Sequence, residues 1–335
     1  MKIFFFKNSK NNLGSDRIYI DNLSLWLKRL GIKNYVSSKY PQNSDISIVS
    51  KFSSLKDVIE IKKRSNKIGI IHPNDLNKDS IKKIDIADFL LTGSIEERDY
   101  FLDYKNNVFR FPQIEIIKQK NKIHKSKKKI KLCYHGNLEH LSSMRIEIQN
   151  ALERLSRVVN LELVAIYDKN LGLWKKNRPN IKIKDIQWNY RTIVKQISNC
   201  DIGIVPCIPA HLLDKKYNNY NFFTNIAKSN FGPVGRPNDY LLQFKIYSNP
   251  GRSFVFHQLS LPVIADFCPS NFEILSDDRF GRLAHSENSW YYSLLELSSS
   301  ADLRNELSRN AYNIFKKKYD PITWTKKLIK FLNYI

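Results

Sequence analysis

Residues 67–103 read KIGIIHPNDLNKDSIKKIDIADFLLTGSIEERDYFLD, and one pattern runs through them twice. Lys67–Ile71 is a short apolar run that reads as a strand, and Asp79–Ile84 has the period of a helix. Phe89–Thr92 is again a strand, and Ile95–Asp103 again a helix. Strands that are apolar on both faces and alternate with helices belong in a parallel sheet covered by helices. Upstream the order continues with Ile3–Phe6 (strand), Asp16–Leu30 (helix closed by Gly31), Asp45–Val49 (strand) and Leu55–Lys63 (helix). Val108–Phe111 adds a strand downstream.

From Ile116 to Lys131 the apolar pattern gives way to a lysine-rich run, too charged to pack and too short for a domain. It reads as a linker, either a solvated connection or a contact for an anionic surface. The alternation then restarts. Ile130–His135, Leu161–Ile166, Ile181–Lys184, Ile202–Val205 and Val263–Ala265 read as strands. Leu141–Val158, Tyr190–Ser198 and Phe254–Gln258 read as helices, and Ser289–Ile335 as a helical end broken near Pro321. Pro206–Tyr247 has no convincing period. The expected organisation is a Rossmann-like domain over 1–115, a basic linker over 116–130, a second such domain over 131–317 and a C-terminal helix over 318–335.

The 335 residues suit two domains, and 42% hydrophobic residues, with 19 Phe and 17 Tyr, exclude global disorder. Lys and Arg number 55 against 32 Asp and Glu, a net charge of +23. No apolar run approaches the roughly 18–20 residues of a membrane span, and the opening Met-Lys-Ile-Phe-Phe-Phe is too short for a signal-peptide core. The chain reads as cytoplasmic. Cys133, Cys200, Cys207 and Cys268 sit among apolar residues without metal-ligand spacing, so they read as reduced core residues and no metal site is expected.

Ligands of open parallel sheets lie beyond the carboxyl ends of the strands, so the loops there hold the candidate residues. Gly14 and Ser15 precede the first helix, where a backbone without Cβ and free N–H groups suit an anion; the same Gly-Ser-Asp is also an ordinary N-cap turn. His135, Gly136 and Asn137 follow the first strand of the second domain and suit a loop that wraps a diphosphate or sugar. Lys245, Arg252 and Ser253 place two cations and a hydroxyl at a turn into a helix, where a phosphate would be doubly held. Asp266 and Glu273 follow a strand that emerges into a polar loop, within reach of ligand hydroxyls. His72 and Asp75 bring an imidazole and a carboxylate into one loop, a pairing able to move a proton. P-loop, serine-esterase and zincin motifs are all missing.

Asp201-Ile-Gly-Ile-Val-Pro206, Gly251-Arg252-Ser253, Leu261-Pro262-Val263-Ile264-Ala265, Asn271-Phe-Glu273, Phe280-Gly281 and Leu303-Arg304-Asn-Glu-Leu307 follow in an order and spacing that resembles the C-terminal half of group 1 GT-B glycosyltransferases. Gly14-Ser15 and Ala87–Ser94 resemble the first half more loosely. The resemblance implies two Rossmann-like domains facing across a cleft, with the C-terminal helix crossing back to the first. It implies a nucleotide-sugar donor on the second domain, a saccharide or lipid-linked saccharide acceptor on the first, and neither metal nor cofactor. Arg252 and Lys245 would face the donor phosphates, Gly136 would give them room, and Glu273 would line the sugar or ribose. Gly14 and Ser15 would approach the phosphates from the other domain. Two glutamates common in the family fall on Tyr247 and Val255 here, and Ser260 stands where a Gly is usual.

The expected function is sugar transfer in cell-surface polysaccharide synthesis. A non-catalytic GT-B-like nucleotide or sugar-binding protein is an alternative of the same fold. A basic nucleic-acid-binding protein is a rival on charge alone, although the cations are spread along the chain and no recognition module is present. Residues 1–129 carry 27 Lys and Arg against 14 Asp and Glu, an excess that suits peripheral attachment to the anionic inner face of a membrane.

Overall fold

A computed structural model describes residues 1–7, 14–73, 78–118, 121–207 and 250–335, and the chain divides into two compact units. Unit 1 comprises Met1–Ile116, Asn249–Gly251 and Phe315–Ile335; unit 2 comprises Ile117–Ser248 and Arg252–Ile314.

The sheet of unit 1 contains β1 (Lys2–Phe6), β2 (Lys33–Ser37), β3 (Ser44–Val49), β4 (Ser65–Ile71), β5 (Phe89–Thr92) and β6 (Val108–Arg110), in the order β2-β1-β3-β4-β5-β6. Every pairing is parallel. Phe4, Phe5, Phe89, Leu90 and Leu91 are fully buried, as strands covered on both faces require. The first helix runs as α1 (Gly14–Asp16), a π-helical turn over Arg17–Asn22 and α2 (Leu23–Arg29), and Gly31 closes it at φ 75°. A reciprocal Ser54–Asp57 capping box starts α3 (Leu55–Lys62); α4 is Lys78–Ile86, and Ser94 caps α5 (Ile95–Leu102). β2 had no clear signal in sequence, because Asn34 and alternating exposed residues break its apolar run.

Unit 2 repeats the plan with β7 (Ile130–His135), β8 (Leu161–Tyr167), β9 (Ile183–Gln187), β10 (Ile202–Val205), β11 (Val263–Asp266) and β12 (Arg282–Ala284), in the order β12-β11-β10-β7-β8-β9. All of its pairings are parallel too. Its helices are α6 (Leu138–Ser142), α7 (Ile146–Ser156), α8 (Ile193–Ser198), α9 (Gly251–Gln258), α10 (Pro269–Leu275) and α11 (Glu287–Ser299). Then α12 (Ala301–Lys318) leads out of unit 2, and α13 (Pro321–Tyr334) packs in unit 1, where the Phe331 ring lies 6.0 Å from Phe89 and 5.1 Å from Phe109.

Three local expectations change. The helix expected over Leu141–Val158 is two helices, because Arg145 is extended and turns its guanidinium inward to Asp266 and the His285 carbonyl. The long helical end also breaks at Ser300, and the turn after Cys268 is α10, with Pro269 at its first position. The basic run is largely exposed but tied to unit 2 at several points: Lys122 and Lys127 pair with Asp201, Lys129 with Glu162, and Asn305 bonds both backbone groups of His124.

Candidate active site

In each sheet the first strand has neighbours reached by opposite crossovers, which opens a crevice at its carboxyl end. In unit 2 that switch point lies between β7 and β10. Gly136 leaves β7 at φ 142°, in backbone space that favours glycine. A Cβ there would stand 3.0 Å from the Tyr134 hydroxyl and 3.2 Å from Cδ of Arg252, so a side chain at 136 would crowd the arginine where it packs on the loop.

Arg252 arrives at the start of α9, half-buried. One guanidinium nitrogen donates to the Pro206 carbonyl after β10 (3.0 Å), the other meets Nδ1 of His140 on α6 (3.3 Å), and the guanidinium carbon lies 5.7 Å from the Tyr134 ring centroid. Tyr134 donates to the Asn137 carbonyl (2.6 Å), fixing the other side of the loop, and burial raises its phenol pKa. A guanidinium carries five donors, and these partners use only part of them. The arrangement can grip an oxyanion at the mouth of the crevice.

The other second-unit candidates have different surroundings. His135 is buried, edge-on to Phe256 at 4.9 Å, with Nε2 3.3 Å from the Arg252 carbonyl; burial lowers its pKa to about 4, so it is a neutral packing group behind the loop. Asn137 is exposed beside Gly136 and begins α6. The Ser253 hydroxyl is buried without a hydrogen-bond partner. Asp266 was expected to reach ligand hydroxyls, but its carboxylate faces inward: Oδ1 accepts from Arg145 (2.6 Å) and Trp290 (3.2 Å), and Oδ2 from the Cys207 amide (2.8 Å). It ties β10, β11, α7 and α11 together. Glu273 is half-buried on α10. Lys245 lies outside the described residues, as do Tyr247 and most of the aperiodic segment.

In unit 1, Gly14 is exposed at the helix start, and a Cβ on it would meet only Arg17, at 3.7 Å; Ser15 is half-buried beside it. The switch point between β1 and β3 is spanned by Asp16, which accepts from the Ser50 hydroxyl at 2.6 Å. Its Oδ2 is buried without a hydrogen-bond partner, and burial raises the carboxyl pKa. Nothing in the sequence distinguished this residue from an ordinary helix-start aspartate. His72 follows β4 in the left-handed region at φ 47°, a conformation rare for a residue with a side chain. Its Nδ1 is 2.5 Å from Oε1 of Glu97, a fully buried carboxylate whose other oxygen accepts from the Gly93 amide at 2.6 Å. The Tyr19 ring stacks on His72 at 6.2 Å. Asp75, the expected partner of His72, lies outside the described residues, and Glu97 is the carboxylate that reasoning from sequence missed.

No family model matches the chain, and no curated protein matches it by sequence. Solved structures match over the full length. Anabaena HepE, crystallised with UDP and glucose, superposes with a TM-score of 0.60 at 11% identity and full coverage of both chains. The fold is GT-B. A glycosyltransferase from Rickettsia africae gives a TM-score of 0.60 at 11% identity over 99% of this chain and 98% of that one. Sucrose-phosphate synthase from Thermosynechococcus elongatus gives 0.59 at 9% identity, with the same coverage. Both units of this GT-B chain place their candidate groups at the carboxyl ends of their strands. Among its described residues no helix is long and apolar enough to cross a membrane, and no three His, Cys, Asp or Glu side chains are grouped to hold a metal ion.

Proposed function

We propose that the chain is a glycosyltransferase that moves a sugar from a nucleotide-sugar donor to a saccharide or lipid-linked saccharide acceptor in cell-surface polysaccharide synthesis. The observation that carries the reading is the Gly136–Arg252 contact at the switch point of a GT-B second unit, a grip for a diphosphate. UDP in a HepE complex of the same fold supports a nucleotide-linked donor. In the reaction an acceptor hydroxyl oxygen forms a bond to the anomeric carbon, and the bond from that carbon to the diphosphate oxygen breaks. The diphosphate leaves with the electron pair, and Arg252 stabilises its charge. The hydroxyl proton passes to an oxygen of the leaving group or to a protein base, the role for which His72 is the candidate. The reaction needs neither a metal nor a cofactor, so turnover is expected to survive EDTA. The excess of Lys and Arg in residues 1–129 suits peripheral attachment at an anionic membrane face.

The test is calorimetric titration with a panel of nucleotide-sugars, followed by turnover assays with those that bind. Arg252→Ala should weaken binding by about 1.5–3 kcal/mol, the range for a charge-assisted bond. An unchanged affinity in that variant would remove Arg252 from the site. Binding without turnover, across a panel of saccharide acceptors, would turn the reading into that of a non-catalytic nucleotide-sugar receptor.

A further inference from the structure

We propose that His140 is a positioning residue for Arg252: its neutral imidazole, with no proton on Nδ1, holds the guanidinium over the Gly136 loop, and protonation of the ring releases it. The inference rests on the reading of Arg252 as the donor-phosphate ligand and adds a proton dependence to it.

A guanidinium can only donate, so its approach to within 3.3 Å of Nδ1 assigns that nitrogen as an acceptor and puts the ring proton on Nε2. The arginine has two other holds, the Pro206 carbonyl and the Tyr134 ring. A peptide carbonyl does not titrate, and an aromatic face attracts the cation at any pH at which it stays aromatic and uncharged. Only His140 can change between holding and repelling. Once protonated, Nδ1 becomes a donor aimed at a donor, and two cations face each other across a hydrogen-bond distance.

Among the described residues, the titratable groups that meet Arg252 are Tyr134 and His135 on β7 and Cys207 after β10, with Glu139 of α6 near Tyr134 and Asp266 at the end of β11 near Cys207. Burial holds His135 neutral down to about pH 4 and raises the Tyr134 phenol; the bond to Cys268 and burial raise the Cys207 thiol. None of these three changes charge between pH 5 and 8, the window in which an imidazole ordinarily switches. Among the described residues, His140 is the imidazole that meets the Arg252 guanidinium, and the proposal assigns to it a charge change at the phosphate grip within that window. On the sequence, His140 is one polar residue in a short helix with nothing to mark it. It matters because α6 begins in the loop that Gly136 opens.

The experiment measures UDP-glucose binding by calorimetry at pH 7.5 and pH 5.5. The probe is chosen because its diphosphate is esterified at both ends and does not titrate there. Wild type should lose about tenfold in affinity at the lower pH. His140→Asn keeps an acceptor near the position of Nδ1 but cannot take a proton, so it should bind like wild type at pH 7.5 and keep that affinity at pH 5.5. His140→Ala should be about tenfold weaker at pH 7.5 and indifferent to pH. Circular dichroism on each sample confirms that the chain is folded under both conditions. Wild-type affinity in His140→Ala at pH 7.5, or the wild-type acid loss retained in His140→Asn, overturns the assignment. If Arg252→Ala weakens binding and His140→Ala does not, the donor site stands and this inference alone falls. If wild type binds no member of the nucleotide-sugar panel, the donor reading fails and takes the inference with it.

Discussion

Ser260 turns from α9 into the strand β11 at φ 55°, where the family resemblance leads one to expect a glycine. A left-handed residue with a Cβ is strained by about 1–2 kcal/mol, and glycine returns part of that through the freedom it has to lose on folding. Ser260→Gly should therefore leave the unfolding free energy read by urea titration unchanged or raise it by up to about 1 kcal/mol, whereas Ser260→Val should lower it by more than that. The same tension between local signal and tertiary role explains Glu97. Ser94-Ile-Glu-Glu97 has the spacing of a capping box, so in sequence Glu97 reads as a helix-start device. In the fold it accepts from Gly93 and faces His72, 25 residues upstream, and only the pairing of β4 with β5 brings them together. Glu97→Ala, which removes the buried acceptor of the Gly93 amide and the carboxylate facing His72, should destabilise the chain by up to about 3 kcal/mol. Glu97→Gln, which keeps an acceptor for Gly93, should cost about half as much. Equal urea midpoints for Glu97→Ala and wild type would refute the pair as a structural bond. The places of Gly136 and His72 at the ends of apolar strands, and of Arg252 at the start of a helix, were legible from local pattern. Glu97, Asp16 and His140 were not, because their roles depend on partners that no local pattern announces.

Among elements, the strands apolar on both faces were the most legible: β5, β7 and β10 have the bounds their runs of apolar residues suggest. The basic run over 117–129 was the least. Its lysines look like a solvated charge block until their acceptors are known, and Asp201 and Glu162 lie 33 or more residues further along the chain. Asp201 is the centre of the attachment. One oxygen accepts from Lys127 at 2.6 Å with Lys122 at 3.7 Å, and the other accepts from the Lys131 amide at 3.0 Å. Burial pushes this carboxyl up, but the Lys127 bond, the Lys131 amide and the two ammonium charges outweigh it and hold the pKa below the ordinary value. Asp201→Asn should release the run and expose it to trypsin at its lysines, with a loss of roughly 3 kcal/mol in stability, as expected for breaking a buried charge cluster on one side. Limited proteolysis with mass mapping reads this directly: cleavage within 121–129 should appear in the variant and be slow in wild type. Cleavage at equal rates in both would mean that the run is not held by Asp201.

At the scale of the whole molecule, +23 at neutral pH means that acid adds charge to a chain already repelling itself. The buried histidines of unit 2 decide how it responds. Burial lowers His257 to about 3 and His135 to about 4; His124, lowered chiefly by burial to about 4, also has Lys122 and Arg304 nearby. In the unfolded chain an imidazole titrates near 6.5. Between about pH 6.5 and pH 4 the unfolded state therefore binds more protons than the folded one, so stability is full above 6.5, falls as the pH drops and levels off below the folded values. Each proton is linked to about 1.4 kcal/mol per pH unit. Even at half weight, three such groups remove roughly 5 kcal/mol across the window, comparable to the whole stability of many domains. The urea midpoint should accordingly drop steeply between pH 7 and 5. His257→Leu should flatten that slope by up to one proton, because His257 Nε2 is buried without a hydrogen-bond partner and the leucine removes a group that must be charged on unfolding in acid. A midpoint that stays level from pH 7 to 5 in wild type would contradict the neutral burial of these rings. A slope unaltered in His257→Leu would assign the acid response to the other titrating groups, His285 among them.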